Sequence, residues 1–101
     1  MKPFFALELA VEVYQSTKDL RLPAHLKSQY LRACSSIALN LSEGSAKPTQ
    51  SDRRKFYFIA LGSLRECQTI LRLHGLEKGD VWQKIDFLGV CIYRLCQAVK
   101  N

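Results

Sequence analysis

The residues of this chain best equipped for chemistry lie in two short runs, "SSIALNLSEG" from Ser35 to Gly44 and "LGSLRE" from Leu61 to Glu66. Each run sets a carboxylate, Glu43 or Glu66, near an uncharged polar group, Asn40 or Ser63. Two carboxylates on facing helices are the raw material of general acid–base catalysis or of a divalent-cation site. Helical bundles that build metal sites use Glu-x-x-His on facing helices, and no Glu here has a His three residues later. The two histidines, His25 and His74, fall in or near predicted helix ends. The favoured reading is therefore structural. Asn40, Glu43, Ser63 and Glu66 are expected to be buried polar groups that hydrogen-bond between neighbouring helices.

Nucleophilic catalysis has less support still. The chain contains no Gly-x-Ser-x-Gly and no Gly-rich phosphate loop of the required spacing. Gly62-Ser63 falls inside a predicted helix, where the glycine is expected to permit close helix packing. Cys34, Cys67, Cys91 and Cys96 form no CxxC pair and lie at or beside predicted buried seams, with no clear His partner. They are expected to be reduced thiols in a cytoplasmic protein. The expectation is that this is not an enzyme and that it needs no cofactor or metal.

Charge is the second source of chemistry. The formal net charge is +6 over 101 residues. Between Pro23 and His74, eight cations (Lys27, Arg32, Lys47, Arg53, Arg54, Lys55, Arg65 and Arg72) face three acids (Glu43, Asp52 and Glu66), leaving five of the six excess charges there. Such clustering favours a polyanionic partner.

The elements that position these groups read as helices. Hairpin dipeptides and sustained period-two alternation are missing, while apolar residues recur at helical spacing four times. The first segment, Phe4 to Lys18, turns Phe5, Leu9 and Val13 inward, and Pro3 suits its first turn. The second, Pro23 to Glu43, carries Leu26, Tyr30, Ala33, Ile37 and Leu41 and stops at Gly44. The third, Ser51 to His74, is capped by Ser51 or Thr49 and ended by Gly75. Its predicted inner stripe is Phe56, Ile59, Ala60, Ser63, Cys67, Ile70 and Leu71. The fourth starts in "DVWQ", where Asp80 can cap and Gln83 reach back. Its seam runs Val81, Ile85, Leu88, Ile92, Leu95 and Val99. Short connections force sequential helices side by side, so the expected fold is all-α: one domain over residues 1–101, an antiparallel up-down-up-down four-helix bundle.

On this wheel Arg54, Phe58, Leu61, Arg65 and Arg72 share a sector about 60° wide, opposite the predicted core stripe. On the second helix Arg32 and Leu39 also point outward. Exposed arginines among apolar side chains suit a subunit interface, a nucleic-acid face, or a solvated face with arginines laid over apolar neighbours. Leu39, Phe58 and Leu61 are expected to be oligomer contacts. Arg32, Lys47, Arg53, Arg54, Lys55, Arg65 and Arg72 are expected to meet nucleic acid. The run Arg53, Arg54 and Lys55 stands at a helix mouth, where positive charge opposes the helix dipole and a bound phosphate would relieve the cost.

The motif Ser-Ile-x-x-Asn-apolar-x-Glu-Gly, met by Ser36, Ile37, Asn40, Leu41, Glu43 and Gly44, precedes Gly-Ser-x-x-Glu, met by Gly62, Ser63 and Glu66. Arg32 and Ala33 supply the Arg-Ala that leads into the first motif. This pattern resembles the four-helix-bundle family of proteins encoded within intervening sequences of bacterial 23S ribosomal RNA genes. The resemblance implies an antiparallel four-helix bundle, with Ser36, Asn40, Glu43, Gly44, Gly62, Ser63 and Glu66 as a structural polar motif. Related accessory variability proteins of diversity-generating retroelements assemble as basic homopentamers that bind nucleic acid and a reverse transcriptase. By resemblance, a homo-oligomer, and a pentamer in particular, is expected here too. The short length and the Asn/Glu motif fit the intervening-sequence branch better.

The leading expectation is a cytoplasmic, oligomeric, non-enzymatic bundle that binds RNA or structured nucleic acid through helices two and three. The alternative is a protein-interaction scaffold or accessory subunit, for example of a reverse transcriptase, whose nucleic-acid contact is incidental. No apolar run is long enough for a membrane span, and Glu8 and Glu12 interrupt the apolar N-terminus, which argues against a signal peptide.

Overall fold

Helix ends explain where the chain turns in this computed structural model, which describes residues 3–98. Helix α1 spans Pro3–Gln15 and continues as a 3₁₀ turn over Ser16–Asp19. Helix α2 spans Ala24–Ala46, α3 Gln50–Leu73 and α4 Asp80–Ala98. The expected stop at Gly44 is not where α2 ends. The helix runs on to Ala46, and Lys47 takes extended backbone with φ −77° and ψ 141°. Pro48 follows, and the residue before a proline is pushed out of the helical region, so the break belongs to the Lys47-Pro48 step.

Thr49 caps α3, its hydroxyl accepting from the Asp52 amide at 3.2 Å. Gly75, at φ 72°, ends it. The amide of Leu76 donates to the Leu71 carbonyl at 2.8 Å and that of Gly75 to Arg72 at 3.1 Å, the paired bonds of a Schellman turn. Gly79 at φ 94° turns the chain into α4. That helix begins at Asp80 itself, so this carboxylate lies in the first turn, where it complements the helix dipole.

Each helix packs on the one before and after it, and α1 closes the ring against α4. Contacts between α2 and α3 climb one helix as they descend the other: Ser45 meets Tyr57, Ser36 meets Ser63, and Cys34 meets Cys67. The 24 residues of α3, at about 1.5 Å each, account for most of the molecule's 40 Å length. The result is an all-α four-helix bundle.

Two seams differ from the expected ones. On α1, Ala6, Ala10 and Val13 are buried, while Phe5 lies at the rim with its ring edge-on to Phe87, centroids 6.1 Å apart. Small residues turn inward there because they let the helix approach its neighbours closely. On α3 the buried stripe is Tyr57, Ala60, Leu64, Cys67, Ile70 and Leu71. Phe56 and Ser63 are half-buried and Ile59 is exposed. The helix is thus turned so that Tyr57 and Leu64 fill the core. The expected seams of α2 and α4 hold, with Leu26 and Val81 only half-buried. Val99 lies outside the described residues.

Candidate nucleic-acid interface

The two polar runs do meet, through different atoms than the carboxylates. The hydroxyls of Ser36 and Ser63 are 2.7 Å apart between α2 and α3. Asn40 Nδ2 donates to the Ser36 carbonyl at 2.8 Å and to Ser36 Oγ at 3.1 Å. Ser36 Oγ accepts that bond and also shares a hydrogen bond with Ser63 Oγ, in which either hydroxyl can donate, so Asn40, Ser36 and Ser63 form a short chain of half-buried hydrogen bonds. No carboxylate or imidazole joins it among the described residues. Glu43 and Glu66 are exposed, against the expectation of burial, and Glu43 pairs with Lys47 at 3.4 Å. A charged carboxylate on the flank of a stripe reaches water by a small swing, which costs far less than desolvation.

The glycines of the two runs are not equivalent. A Cβ at Gly44 would sit 2.8 Å from Tyr57 Cε1 and 3.0 Å from Phe56 Cβ. Gly44 is thus the close-packing glycine of this interface, and Ser45 Oγ stands 3.4 Å from the Tyr57 hydroxyl that the gap admits. Gly62, expected to serve close packing, is exposed with nothing within 4 Å.

Deeper in the same interface, Cys34 and Cys67 touch, Sγ to Sγ at 3.5 Å. Hydrogen bonding to Cys34, together with burial, pushes the Cys67 thiol up, and the same bond lowers Cys34. Burial raises Cys91 and Cys96. Beside Cys34, the fully buried Tyr30 hydroxyl has no hydrogen-bond partner, and burial drives its ionisation far above the usual phenol range.

The cations do not form one patch. Arg53 turns back to the α2–α3 loop, its Nε donating to the Lys47 carbonyl at 2.6 Å. Arg54 leans the other way: its Nε reaches the Cys96 carbonyl at 3.4 Å in the last turn of α4, and its guanidinium lies 4.8 Å from the Phe58 ring centroid. Lys55 points outward over Phe56. Arg54 is thereby partly compensated inside the fold, because it reaches the negative end of α4.

Arg65 donates to Gln68 Oε1 at 2.8 Å, Arg72 pairs with Glu77 at 3.5 Å, and Arg32 is exposed without a partner. The only other ion pair among the described residues joins Lys84 to Glu12. Of the seven candidate cations, Arg32, Arg53, Arg54, Lys55 and Arg65 have no acidic partner there.

Because α3 is rotated, the sector of Arg54, Leu61, Arg65 and Arg72 flanks α4 and does not stand opposite the core. Leu61 is half-buried against the core, so part of its surface is already used within the chain. Leu39 is 68% exposed and Phe58 lies open beneath Arg54. The rotation also brings α4 residues beside Arg65, namely Tyr93 and Arg94. The sequence does hold a signal for them, an adjacent aromatic and cation on the outer side of the α4 seam.

Among the described residues no helix is long and apolar enough to cross a membrane. No curated protein and no solved structure matched the chain. A family model, that of the 23S rRNA-intervening sequence protein, matches residues 5–75, which takes in α1, α2, α3 and the Gly75 turn. With that match over more than half its length, and with both halves of the Ser36 and Ser63 motif inside it, the chain belongs to the 23S rRNA-intervening sequence protein family.

Proposed function

We propose that this chain is a cytoplasmic, non-enzymatic bundle that assembles with copies of itself and binds RNA or other structured nucleic acid. Binding acts through charge neutralisation and shape, with little reading of base sequence. One observation carries the reading: five of the seven candidate cations lack an acidic partner among the described residues, and the chain has a net charge of +6. Phosphates are the natural counter-charge for such a surface. Arg53 and Arg54 bond backbone carbonyls and Arg65 bonds Gln68, so they offer their remaining donors, while Arg32 and Lys55 hold no hydrogen bond from their side chains among the described residues. Leu39 and Phe58 supply exposed apolar area for contact between subunits.

A salt titration of RNA binding tests this reading. The logarithm of affinity should fall linearly with the logarithm of salt, with a slope of about −0.7 to −0.9 per phosphate engaged. Replacing Arg32, Lys55 and Arg65 together by Gln should flatten the slope. Affinity indifferent to ionic strength would end the proposal. Light scattering tests assembly: a monomer at all accessible concentrations would remove the oligomeric part.

The second reading is a protein-interaction scaffold or accessory subunit. It draws on exposed apolar side chains, Phe4, Leu39 and Leu73 the most exposed among the described residues, which a protein partner could cover without nucleic acid. A partner that stays bound through nuclease treatment favours it.

A further inference from the structure

The groove between α3 and α4 contains two depressions that share Arg65. One, of about 420 Å³, is lined by Arg65, Asp86, Gly89, Val90, Tyr93 and Arg94. The other, of about 380 Å³, is lined by Arg65, Gln68, Thr69, Arg72, Glu77 and Trp82. The same pattern thus occurs twice: an aromatic ring and an arginine on each side, with one arginine between.

Local structure explains how this arises. Gly89 is buried, and a Cβ there would stand 3.0 Å from Leu64 Cδ2 and 3.7 Å from the Arg65 guanidinium. The bare glycine lets Leu64 pack close and keeps the floor of the first depression low, with Arg65 beside it. Gln68 orients that guanidinium by accepting one of its five N–H donors, which leaves others for a ligand. Tyr93 is 51% exposed. The Arg72–Glu77 pair is exposed on both sides, a contact a phosphate can replace at little cost. With Arg54 on the same flank, four arginines face two acids, Asp86 and Glu77, so the groove is positively charged.

Resting on the nucleic-acid reading above, we infer that this groove binds a single strand. Tyr93 and Trp82 lie eleven residues apart on α4, about 16 Å along its axis. One base therefore lies against Tyr93, another a few nucleotides along lies against Trp82, and the backbone between them crosses Arg65. Sequence-tolerant single-strand sites combine a basic track with rings on which bases stack, and this groove has both. A duplex keeps its bases stacked inside and offers only its phosphates, so it leaves recessed rings unused. A partner helix would need a continuous apolar floor, whereas here charged side chains line both depressions.

Trp82 is the sole tryptophan of the chain, so its fluorescence reports the end of the groove that it lines. The full-length protein is titrated with a short oligouridylate and, separately, with an RNA duplex of the same length. The expected result is quenching by the single strand and none by the duplex. Tyr93→Ala and Arg65→Gln, both exposed positions, should each weaken single-strand binding by about tenfold while leaving helical content unchanged. If both probes bind alike, with no quenching and no loss in Tyr93→Ala, the groove assignment is overturned while salt-dependent binding stands. If neither probe binds at any salt concentration, the groove and the broader nucleic-acid reading fall together.

Discussion

Helix α3 makes two unlike interfaces, and the contrast separates what holds the bundle together from what it offers to a ligand. Toward α2 the helices are drawn close. Gly44 admits the Tyr57 ring, Ser36 bonds Ser63, and Cys34 touches Cys67. Little space is left for anything else. Toward α4 the helices also meet at a glycine, Gly89 over Leu64, but long side chains flank the contact and two depressions stay open. A small residue opposite a large one closes an interface, whereas arginines and half-exposed rings on its rim leave a groove. Ser36, Asn40, Gly44 and Ser63 of the family motif lie on the closed side and serve helix pairing, whereas its Glu43, Gly62 and Glu66 are exposed.

The contrast can be broken at four points. The largest effect is expected at Gly44. Gly44→Ala forces a methyl against the Tyr57 ring and Phe56 Cβ, and overpacking of this kind costs about 1–3 kcal/mol, measured by urea denaturation. An unchanged midpoint would show that the interface is looser than it looks. Next, Ser63→Ala removes the hydrogen bond between helices and should cost about 1 kcal/mol. Adding Ser36→Ala should cost less than it does alone, because the pair acts as one unit.

Gly62→Ala goes the opposite way. Nothing lies within 4 Å of the added methyl, so the variant should gain about 0.5–1 kcal/mol from better helix propensity. A loss there would mean that some other surface covers Gly62.

The last effect vanishes at neutral pH. Tyr30, Cys67, Cys91 and Cys96 all hold their protons more tightly folded than unfolded. Stability is therefore complete below the ordinary thiol value of 9.0 and falls as pH rises above it, because the unfolded chain then binds fewer protons than the native one. Cys34 shifts the other way and offsets part of the fall. Tyr30→Phe should shallow the decline above pH 10.0. A decline of equal steepness in Tyr30→Phe would exclude the tyrosine from it.

The groove was harder to foresee than the motif. Helical spacing identified Phe58, Arg65 and their neighbours as a stripe, yet its partners, Tyr93 and Arg94, are far along the chain and contribute only through packing. The carboxylates misled for a related reason. Glu43 and Glu66 sit one position off an apolar stripe, and periodicity cannot say whether a flanking side chain bends inward or to water.

By itself the sequence determined the number of helices, the two capped ends of α3, and the pairing of the Ser36 and Ser63 runs. These follow from local chemistry: proline and glycine breaks, a threonine cap, and the repeat of apolar residues. Only the tertiary structure decided which of two apolar stripes on α3 faces inward. Ala60, Cys67, Ile70 and Leu71 are common to both; Phe56 and Ile59 belong to one, and Tyr57 and Leu64 to the other, about 120° away on the wheel. The observed rotation is the one that fits the opposing helix, where the space above Gly44 takes the Tyr57 ring. That rotation carried Arg54, Arg65 and Arg72 to the side of α4.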